Sequence, residues 1–269
     1  MPVDKCEALL KLARNSEERT FAARCLDQIR AVVKGRKNAV RTGFLDPGQG
    51  GLLEDICCGH GGVRMLLWGG YPEAERRRAL LLTEDNFWYD EDCRVDVLLV
   101  VPLDPNKLPG HRDYLGSLMG LGINRDRIGD IVQQEEGAAV FVASEIVPYL
   151  LQNLNKVGRC PVAVQPMDIT GFSYSPPELL EKVVTTASQR LDVLVSKALN
   201  LSRAESALLV QQGKVFQNWR QQDSPSRQVA GGDLISCRGH GRFRVLEHSG
   251  ITKKGREKFV LGFYRDHKK

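Results

Sequence analysis

The chain has 269 residues, of which 42% are hydrophobic and 26% charged, a composition typical of globular proteins and too apolar for an intrinsically disordered chain. This length exceeds one typical domain, so we expect two or three compact units. The longest apolar run, residues 95–103, contains Asp96 and Pro102, and the first residues form no apolar segment, so the sequence favours neither a membrane span nor secretion.

Charge is distributed unevenly along the chain. Residues 189–269 carry a net charge of +9, whereas residues 1–188 carry a net charge of −4. A basic end of this kind predicts a polyanionic partner, either a nucleic acid or an anionic membrane surface. A basic face that is merely solvated would have the same composition, so charge alone leaves the choice open.

The seven cysteines include no C-x-x-C pair. Their odd number and their spacing suit neither a zinc site nor a disulfide framework, so we predict reduced thiols in a cytoplasmic protein. The cluster Cys57-Cys58-Gly59-His60 has no second pair of ligands after it. We therefore predict neither a metal nor another cofactor.

Residues 1–90 are predicted to form an α-rich amino-terminal domain. Helical spacing covers residues 4–34, with Asn15 as a cap between two helices, and shorter helices are expected at residues 52–57 and 73–81. A weak alternation predicts a strand at residues 63–68. The three consecutive arginines Arg76-Arg77-Arg78 are predicted to lie on a solvated helix face.

Residues 91–170 alternate between strand and helix patterns. Strands are expected at residues 94–101, 127–133, 138–143 and 159–165, and helices at residues 111–121 and 144–156. The order βαββαβ is that of a ferredoxin-like sandwich, so the predicted fold class is α+β. RNA-recognition motifs share this topology, but the strand at residues 137–142 lacks their paired aromatic residues, which disfavours such a motif.

A linker is predicted at residues 171–188, whose start is rich in serine and proline, and a basic domain at residues 189–269. Residues 190–199 have the pattern of an amphipathic helix. Ser202 and Glu205 form a capping box that begins a second helix, and Gly213 is expected to end it. Strands follow at residues 214–218, 234–237 and 243–247, with a further strand at the carboxy terminus.

The segment 190–246 contains the runs R-L-D-x-x-L, L-S-R-A-E-S, Q-G-K-V, G-D-L-I-S and R-G-x-G-R-F. Together these runs resemble the S-four (S4, or αL) RNA-binding domain, which occurs in a small-subunit ribosomal protein and is appended to tRNA synthetases and pseudouridine synthases. Further runs are Phe44-Leu45-Asp46-Pro47, Gly69-Gly70-Tyr71, His111-Arg112-Asp113 and Leu121-Gly122-Ile123. With them, nearly the whole chain resembles the YlmH family of bacterial S4 proteins, also named in cyanobacteria as photosystem II S4 domain proteins.

The resemblance implies a protein that binds structured RNA, with ribosomal RNA or tRNA on the large ribosomal subunit as partner and with neither DNA nor a membrane expected. Members are linked to ribosome quality control and, by gene neighbourhood, to cell division. Many S4 domains have Asn-Gly where this chain has Asn218-Trp219. The residues predicted to contact RNA are Arg190, Lys197, Ser202, Arg203, Lys214, Asn218, Trp219, Arg227, Arg238, Arg242, Lys253 and Lys254.

Three alternatives stay open for parts of this interpretation. The run Arg190-Leu191-Asp192 is similar to the catalytic R-L-D of pseudouridine synthases, yet a helix-start carboxylate paired with an arginine explains it better. An RNA-modifying enzyme that uses the S4 domain to deliver its substrate is the second hypothesis, although we predict no catalytic residues. A scaffold that binds an anionic membrane is the third.

Among the aromatic residues, Phe216 and Phe243 are predicted to be core residues and Trp219 to stack on RNA.

Overall fold

A computed structural model describes residues 3–13, 15–87, 89–176, 178–253 and 255–264. The chain divides between Tyr174 and Ser175 into two units. No helix in the described ranges is long and apolar enough to cross a membrane.

The first unit contains two successive helix-and-sheet regions. Its helices are α1 (Val3–Leu10), α2 (Ser16–Val33), α3 (Pro47–His60), α4 (His111–Gly120) and α5 (Val147–Asn153). Its strands are β1 (Ala39–Leu45), β2 (Arg64–Trp68), β3 (Arg77–Leu82), β4 (Val95–Pro102), β5 (Ile128–Gln134), β6 (Gly137–Ala143), β7 (Lys156–Val157) and β8 (Cys160–Met167).

Strand β3 lies at the centre of the first sheet, whose order is β1-β3-β2. The helix predicted at residues 73–81 is therefore wrong over most of β3. Side chains of β3 enter two cores: Ala79 and Leu81 pack with α2 and α3, while Leu80 and Leu82 enter a core shared with the second sheet. A strand buried on both faces shows no polar alternation, so its periodicity does not distinguish it from a helix.

The second sheet has the order β5-β6-β4-β8-β7, and its neighbouring strands are antiparallel. Apart from the short β7, this is the predicted ferredoxin-like arrangement. Helices α4 and α5 cover one face through Tyr114 and Leu150. The other face carries Phe141, which packs with Phe44 and Tyr71 of the first region. The face with which an RNA-recognition motif stacks bases is therefore buried here.

Arg78 corrects the expectation that residues 76–78 form a solvated helix face. It is only 2% exposed. Its guanidinium donates to the carbonyl oxygens of Thr42 and Arg94, at 3.0 and 2.7 Å, and to the Glu145 carboxylate at 3.2 Å. The side chain thus connects β1, the segment before β4 and the turn after β6, because a buried guanidinium needs acceptors for its donors.

Arg76 is half-buried and makes similar contacts. Its guanidinium donates to the carbonyl oxygens of Ile128 at 3.0 Å, Phe44 at 2.9 Å and Arg125 at 3.3 Å, and its backbone N–H donates to Asp130 at 3.1 Å. Burial lowers the pKa of Arg76. Burial, followed by the nearby charge of Arg76, lowers the pKa of Arg125 to about 10. These contacts join the two regions of the first unit.

The second unit is one antiparallel sheet with a helical hairpin packed on it. Its helices are α6 (Leu191–Leu199) and α7 (Arg203–Gln211). Its strands are β9 (Leu179–Thr186), β10 (Val215–Gln217), β11 (Arg220–Gln222), β12 (Leu234–Cys237), β13 (Gly241–Ile251) and β14 (Glu257–Tyr264). The strand order is β11-β10-β12-β13-β14-β9, and Leu194 of α6 and Val210 of α7 belong to the core that also contains Phe243 and Leu261 of the sheet.

Strand β9 corrects the linker predicted at residues 171–188. All eight of its residues pair with β14, from Leu179 opposite Tyr264 to Thr186 opposite Glu257. The run from Val183 to Thr186 is β-branched, which suits a strand, whereas the two prolines of the segment lie before it. The basic unit therefore includes residues before 189.

The helical hairpin forms as its sequence predicts. The Ser202 hydroxyl accepts from the Glu205 N–H at 3.1 Å, and the Glu205 carboxylate accepts from the Ser202 N–H at 2.9 Å. Gly213 follows the end of α7 with φ at +66°. Both the predicted capping box and the predicted helix end are confirmed.

Candidate nucleic-acid interface

The amino ends of α6 and α7 form a corner that contains three of the arginines predicted to bind RNA. Arg190 directly precedes α6, and Arg203 is the first residue of α7. Arg227 lies beside them, because its carbonyl oxygen accepts from the Leu191 N–H at 2.8 Å. Exposed arginines beside helix amino ends suit phosphate, since backbone N–H groups there add to the attraction.

Asp192 neutralises part of this corner from within. Its side chain is 5% exposed and accepts two hydrogen bonds of 3.0 Å from Arg190, an ion pair that raises the pKa of Arg190. The Arg203 guanidinium lies 3.7 Å from the same carboxylate but is 65% exposed. The predicted pairing of Asp192 with a neighbouring arginine is confirmed. Arg190 thus has a structural partner, whereas Arg203 directs most of its surface to solvent.

Asn218, another residue predicted to contact RNA, uses its amide within the fold. Its Nδ2 donates to the Asp233 carboxylate at 2.7 Å, and its Oδ1 accepts from the Leu234 N–H at 2.9 Å. Gln217 Nε2 donates to the other Asp233 oxygen at 2.6 Å. These bonds hold the start of β12 against the β10–β11 hairpin. RNA contact by Asn218, like that by the capping residue Ser202, stays a prediction.

Trp219 lies in the turn of that hairpin with an unusual backbone conformation. Gln217 pairs with Arg220, so Asn218 and Trp219 are the two turn residues, and their φ angles are +51° and +61°. Positive φ at both positions is typical of a type I′ turn, where Asn-Gly is preferred. The left-handed turn is therefore retained with tryptophan in place of glycine. The indole of Trp219 is half-buried, and the turn fixes the backbone that carries it.

The outer face of the sheet, opposite the helices, carries two arginine–aromatic pairs. Phe216 pairs with Ser236 and Ser236 with Arg242 across β10, β12 and β13, which sets these side chains in one row. The guanidinium of Arg238 lies 4.7 Å from the centre of the Phe216 ring, and that of Arg242 lies 4.2 Å from the centre of the Tyr264 ring. We call these four arginine and aromatic residues the outer-face cluster.

The outer-face cluster combines the two groups that bind nucleic acid with little sequence preference. A guanidinium stacked on a ring can donate hydrogen bonds from its edge to phosphate oxygens. Aromatic rings that remain partly accessible offer surfaces on which bases stack. The cluster is therefore suited to contact both the backbone and the bases of RNA.

The predicted lysines are spread more widely. Lys197 is exposed in the last turn of α6, and Lys214 is exposed just before β10, where its carbonyl oxygen accepts from the Arg238 N–H at 2.9 Å. Lys253 is exposed in the β13–β14 hairpin, roughly 30 Å along β13 from the outer-face cluster at about 3.3 Å per residue. Lys254 lies outside the described residues. The structure therefore groups Lys214 with Arg238 and separates Lys253 from both.

Sequence reasoning missed the aromatic half of the cluster. Phe243 is buried in the core as predicted, but Phe216 is only half-buried, so its prediction as a core residue is wrong. The signal was the alternation along β10: Val215 and Gln217 are buried, so the residue between them faces outward. Tyr264 had no comparable signal, because its place beside Arg242 depends on the register of β13 and β14.

The run His111-Arg112-Asp113 caps a helix. The Asp113 carboxylate accepts from the Gly110 N–H at 2.9 Å at the start of α4. Asp130 accepts from the Tyr71 hydroxyl at 2.8 Å and from the Glu75 N–H at 2.7 Å.

The cysteine cluster at residues 57–60 lies on α3, with Cys57 buried and Cys58 exposed. Over the ranges that the structure describes, no group of three or more His, Cys, Asp or Glu side chains is arranged to hold a metal ion.

Three protein-family profiles match successive parts of the chain. "YlmH, N-terminal" matches residues 17–86, "Putative RNA-binding domain in YlmH" matches residues 106–171, and "S4 domain" matches residues 189–235.

Individual proteins agree with these matches. The chain is 31% identical over 249 residues to "Ribosome-associated protein quality control protein P2" of Bacillus subtilis (strain 168), across 93% of this chain and 95% of that protein. The solved structure of "Cell division protein ylmH from Streptococcus pneumoniae" is similar with a TM-score of 0.52 at 23% identity, covering 59% of this chain and 95% of that chain, and this likeness concerns the fold alone. The full-length similarity to the B. subtilis protein shows that the chain belongs to the YlmH family of S4-domain proteins.

Proposed function

We propose that this protein binds structured ribosomal RNA through its second unit and acts on the ribosome, in translation or ribosome quality control, in the cytoplasm. The outer-face cluster is the observation that carries the proposal, since Arg238 and Arg242 there lie on aromatic rings at the surface of a basic unit. The name of the B. subtilis relative supports the ribosome as the partner. We take the target to be the large subunit with a tRNA-linked chain.

The mode of binding follows from the chemistry of these residues. Structured RNA presents phosphates and sugar hydroxyls on its surface, and its bases are accessible mainly in loops and bulges. The arginines at the α6–α7 corner would contact phosphates, which fixes the position of the protein without reading sequence. The outer-face cluster would add stacking on an unpaired base. Recognition would thus depend on shape more than on sequence.

The first unit would select the ribosome from among other RNAs. Residues 1–188 carry a net charge of −4, so free RNA gains little from them. Arg76 and Arg78 are also unavailable for RNA, because their guanidinium groups bond to carbonyl oxygens inside the unit. Selection by this unit would therefore use shape or contacts with protein.

An RNA-modifying enzyme is the alternative function, and the position of Asp192 argues against its simplest form. A catalytic aspartate in an R-L-D motif must reach the substrate, whereas Asp192 is 5% exposed and held by two hydrogen bonds from Arg190. We therefore propose that the protein acts by binding.

The proposal is tested by sedimentation of the full-length protein with purified large subunits at increasing salt. If about five phosphates are contacted, affinity falls roughly 100- to 500-fold between ~50 and ~200 mM salt. A flat salt response, or equal binding to duplex DNA or to anionic vesicles, would contradict the proposal.

The double variant Arg238→Ala/Arg242→Ala tests the outer-face cluster. We expect at least a roughly tenfold loss of affinity, since each charged hydrogen bond to phosphate contributes about 1.5–3 kcal/mol. Arg19→Ala/Arg24→Ala is the matched control, because it removes the same charge from exposed positions of α2. Equal losses in the two double variants would show that net charge, rather than the cluster, determines binding.

A further inference from the structure

The loop between β3 and β4 exposes aromatic side chains at its tip. Phe87 is 95% exposed and Tyr89 is 73% exposed, the highest values among the large hydrophobic side chains that the structure describes. Trp88, between them in the sequence, lies outside the described residues. Exposed rings gain nothing from folding, so two of them in one loop indicate an interaction surface.

The loop is anchored at both ends. Asn86 donates from its backbone N–H to the Thr83 carbonyl at 3.2 Å and from its side chain to the Thr83 hydroxyl at 2.9 Å. At the other end, the Tyr89 N–H donates to the Asp92 carboxylate at 2.9 Å, and Cys93 is buried in the core. These bonds reduce the entropy that the loop would lose on binding, which favours a docking role.

The charge around the rings is acidic. The loop contains five carboxylates, at positions 84, 85, 90, 91 and 92. Two basic side chains contact its backbone: Arg41 donates to the Asp92 carbonyl, and Arg64 donates to the Glu84 carbonyl at 3.5 Å. The loop itself also contains Arg94, so with all three arginines counted the net charge is −2. This field repels phosphate, so base stacking on RNA is disfavoured although the rings themselves would permit it.

We propose that this loop inserts Phe87 and Tyr89 into an apolar pocket of a basic protein, whose lysines and arginines at the rim of the pocket pair with the loop carboxylates. Aromatic anchors within a charged rim are the usual anatomy of a protein interface. The inference rests on the proposed function, because it takes the basic protein to be a component of the large ribosomal subunit. The loop thereby gives the first unit a means of selecting ribosomes over free RNA.

Affinity of the variant Phe87→Ala/Tyr89→Ala tests the two rings. We expect binding to large subunits to weaken roughly 30-fold, as for truncation of interface hot spots, while binding to protein-free RNA extracted from those subunits is unchanged. Thermal unfolding should also be unchanged, since both rings are exposed. Leu103→Ala/Leu108→Ala, which truncates two exposed residues of another loop, is the matched control and should bind like the parent.

Neutralising the loop carboxylates distinguishes a protein partner from an RNA partner, because the two predict opposite changes in affinity. Neutralising four acids in Glu84→Gln/Asp85→Asn/Asp90→Asn/Glu91→Gln should weaken binding to large subunits if a basic protein is contacted. It should strengthen binding if the loop faces phosphate, which would overturn the inference. An unchanged affinity would overturn it as well.

A photo-crosslinker, p-benzoylphenylalanine, at position 87 identifies the contacted molecule. A crosslink to a ribosomal protein rich in lysine and arginine would support the inference. A crosslink to RNA or within this chain, or no crosslink on bound subunits, would overturn it. If the parent binds subunits but the Phe87→Ala/Tyr89→Ala variant or the Leu103→Ala/Leu108→Ala control behaves contrary to expectation, only the loop is refuted. If the parent does not bind subunits, the proposed function and this inference both fail.

Discussion

Arginine has different roles in the two units of this protein. In the first unit, Arg78 is buried and Arg76 half-buried, and both donate to carbonyl oxygens of neighbouring strands and loops. In the second unit, Arg238 and Arg242 lie on the surface against aromatic rings. The same guanidinium therefore holds strands together in one unit and faces a prospective ligand in the other.

The difference shows that a count of basic residues does not locate a binding surface. A buried guanidinium is tolerated where carbonyl and carboxylate oxygens match its planar donors, and it then no longer attracts phosphate from solvent. The run Arg76-Arg77-Arg78 is the densest basic run of the chain, yet its first and last members belong to the interior. The acceptors that surround the guanidinium, not charge density, distinguish the two roles.

The largest expected effect comes from removing an interior arginine. Arg78→Met should lower the free energy of unfolding by about 3 kcal/mol, because buried acceptors on Thr42 and Arg94 lose their donors and Glu145 loses the nearer of its two arginine partners. Urea unfolding of the full-length protein measures this change. RNA affinity under native conditions should stay that of the parent.

Arg30→Met is the control for that experiment. Arg30 forms an exposed ion pair with Asp27 at 3.2 Å on α2, and pairs of this type contribute about 0.5 kcal/mol or less. If Arg78→Met were no more destabilising than Arg30→Met, the interior role assigned to Arg78 would be wrong.

Within the second unit, Arg190 and Arg203 allow a closer test of the same distinction. Arg190→Ala removes both hydrogen bonds from the buried carboxylate of Asp192, so we expect the second unit to lose stability. Arg203→Ala should change stability little and weaken RNA binding about 10- to 100-fold, as expected for a charged hydrogen bond to phosphate. Paired urea titrations and RNA-binding curves measure both quantities. The reverse pattern would exchange the roles of the two arginines.

The parts of the fold that the sequence predicts are those with local signals. The capping box at Ser202 and Glu205 involves neighbouring residues, and the βαββαβ order follows from successive periodicities. Strands β3 and β9 were missed for other reasons. β3 is buried on both faces, and the place of β9 depends on pairing with the distant β14.

The candidate site divides in the same way. Arg203 was predicted because it directly follows the capping serine Ser202. The structure places it, exposed, at the amino end of the helix that this serine caps. Phe216 and Tyr264 were not predicted, because their contact with arginines depends on the register of β10, β12, β13 and β14. Register is a tertiary property that no single segment specifies.

A smaller effect is expected at the turn of the β10–β11 hairpin. Trp219→Gly should stabilise the second unit by about 0.5–1 kcal/mol, because glycine relieves the left-handed strain of a bulky residue but adds entropy to the unfolded chain. RNA affinity should nevertheless fall, by about 1 kcal/mol or more if the indole stacks on a base. Thermal unfolding and RNA binding together test this. If the Trp219→Gly variant were more stable and bound RNA as tightly as the parent, the prediction that Trp219 contacts RNA would be wrong.

The smallest expected effect is a loss of stability in acid, when the Glu145 carboxylate becomes protonated. Partial burial would raise the pKa of Glu145, but hydrogen bonds, first of all from Arg78, outweigh burial and lower it below its usual value of 4.5. A carboxyl with a depressed pKa adds stability above the unfolded value, and that stability is lost as pH falls through the folded value. Glu145 is 42% exposed, so solvent screening keeps the contribution below about 1 kcal/mol. Urea midpoints should therefore differ between the parent and Glu145→Gln at pH 7 and converge in acid, as pH falls through the lowered pKa of Glu145. A difference that persists in acid would show that the ionised pair is not its source.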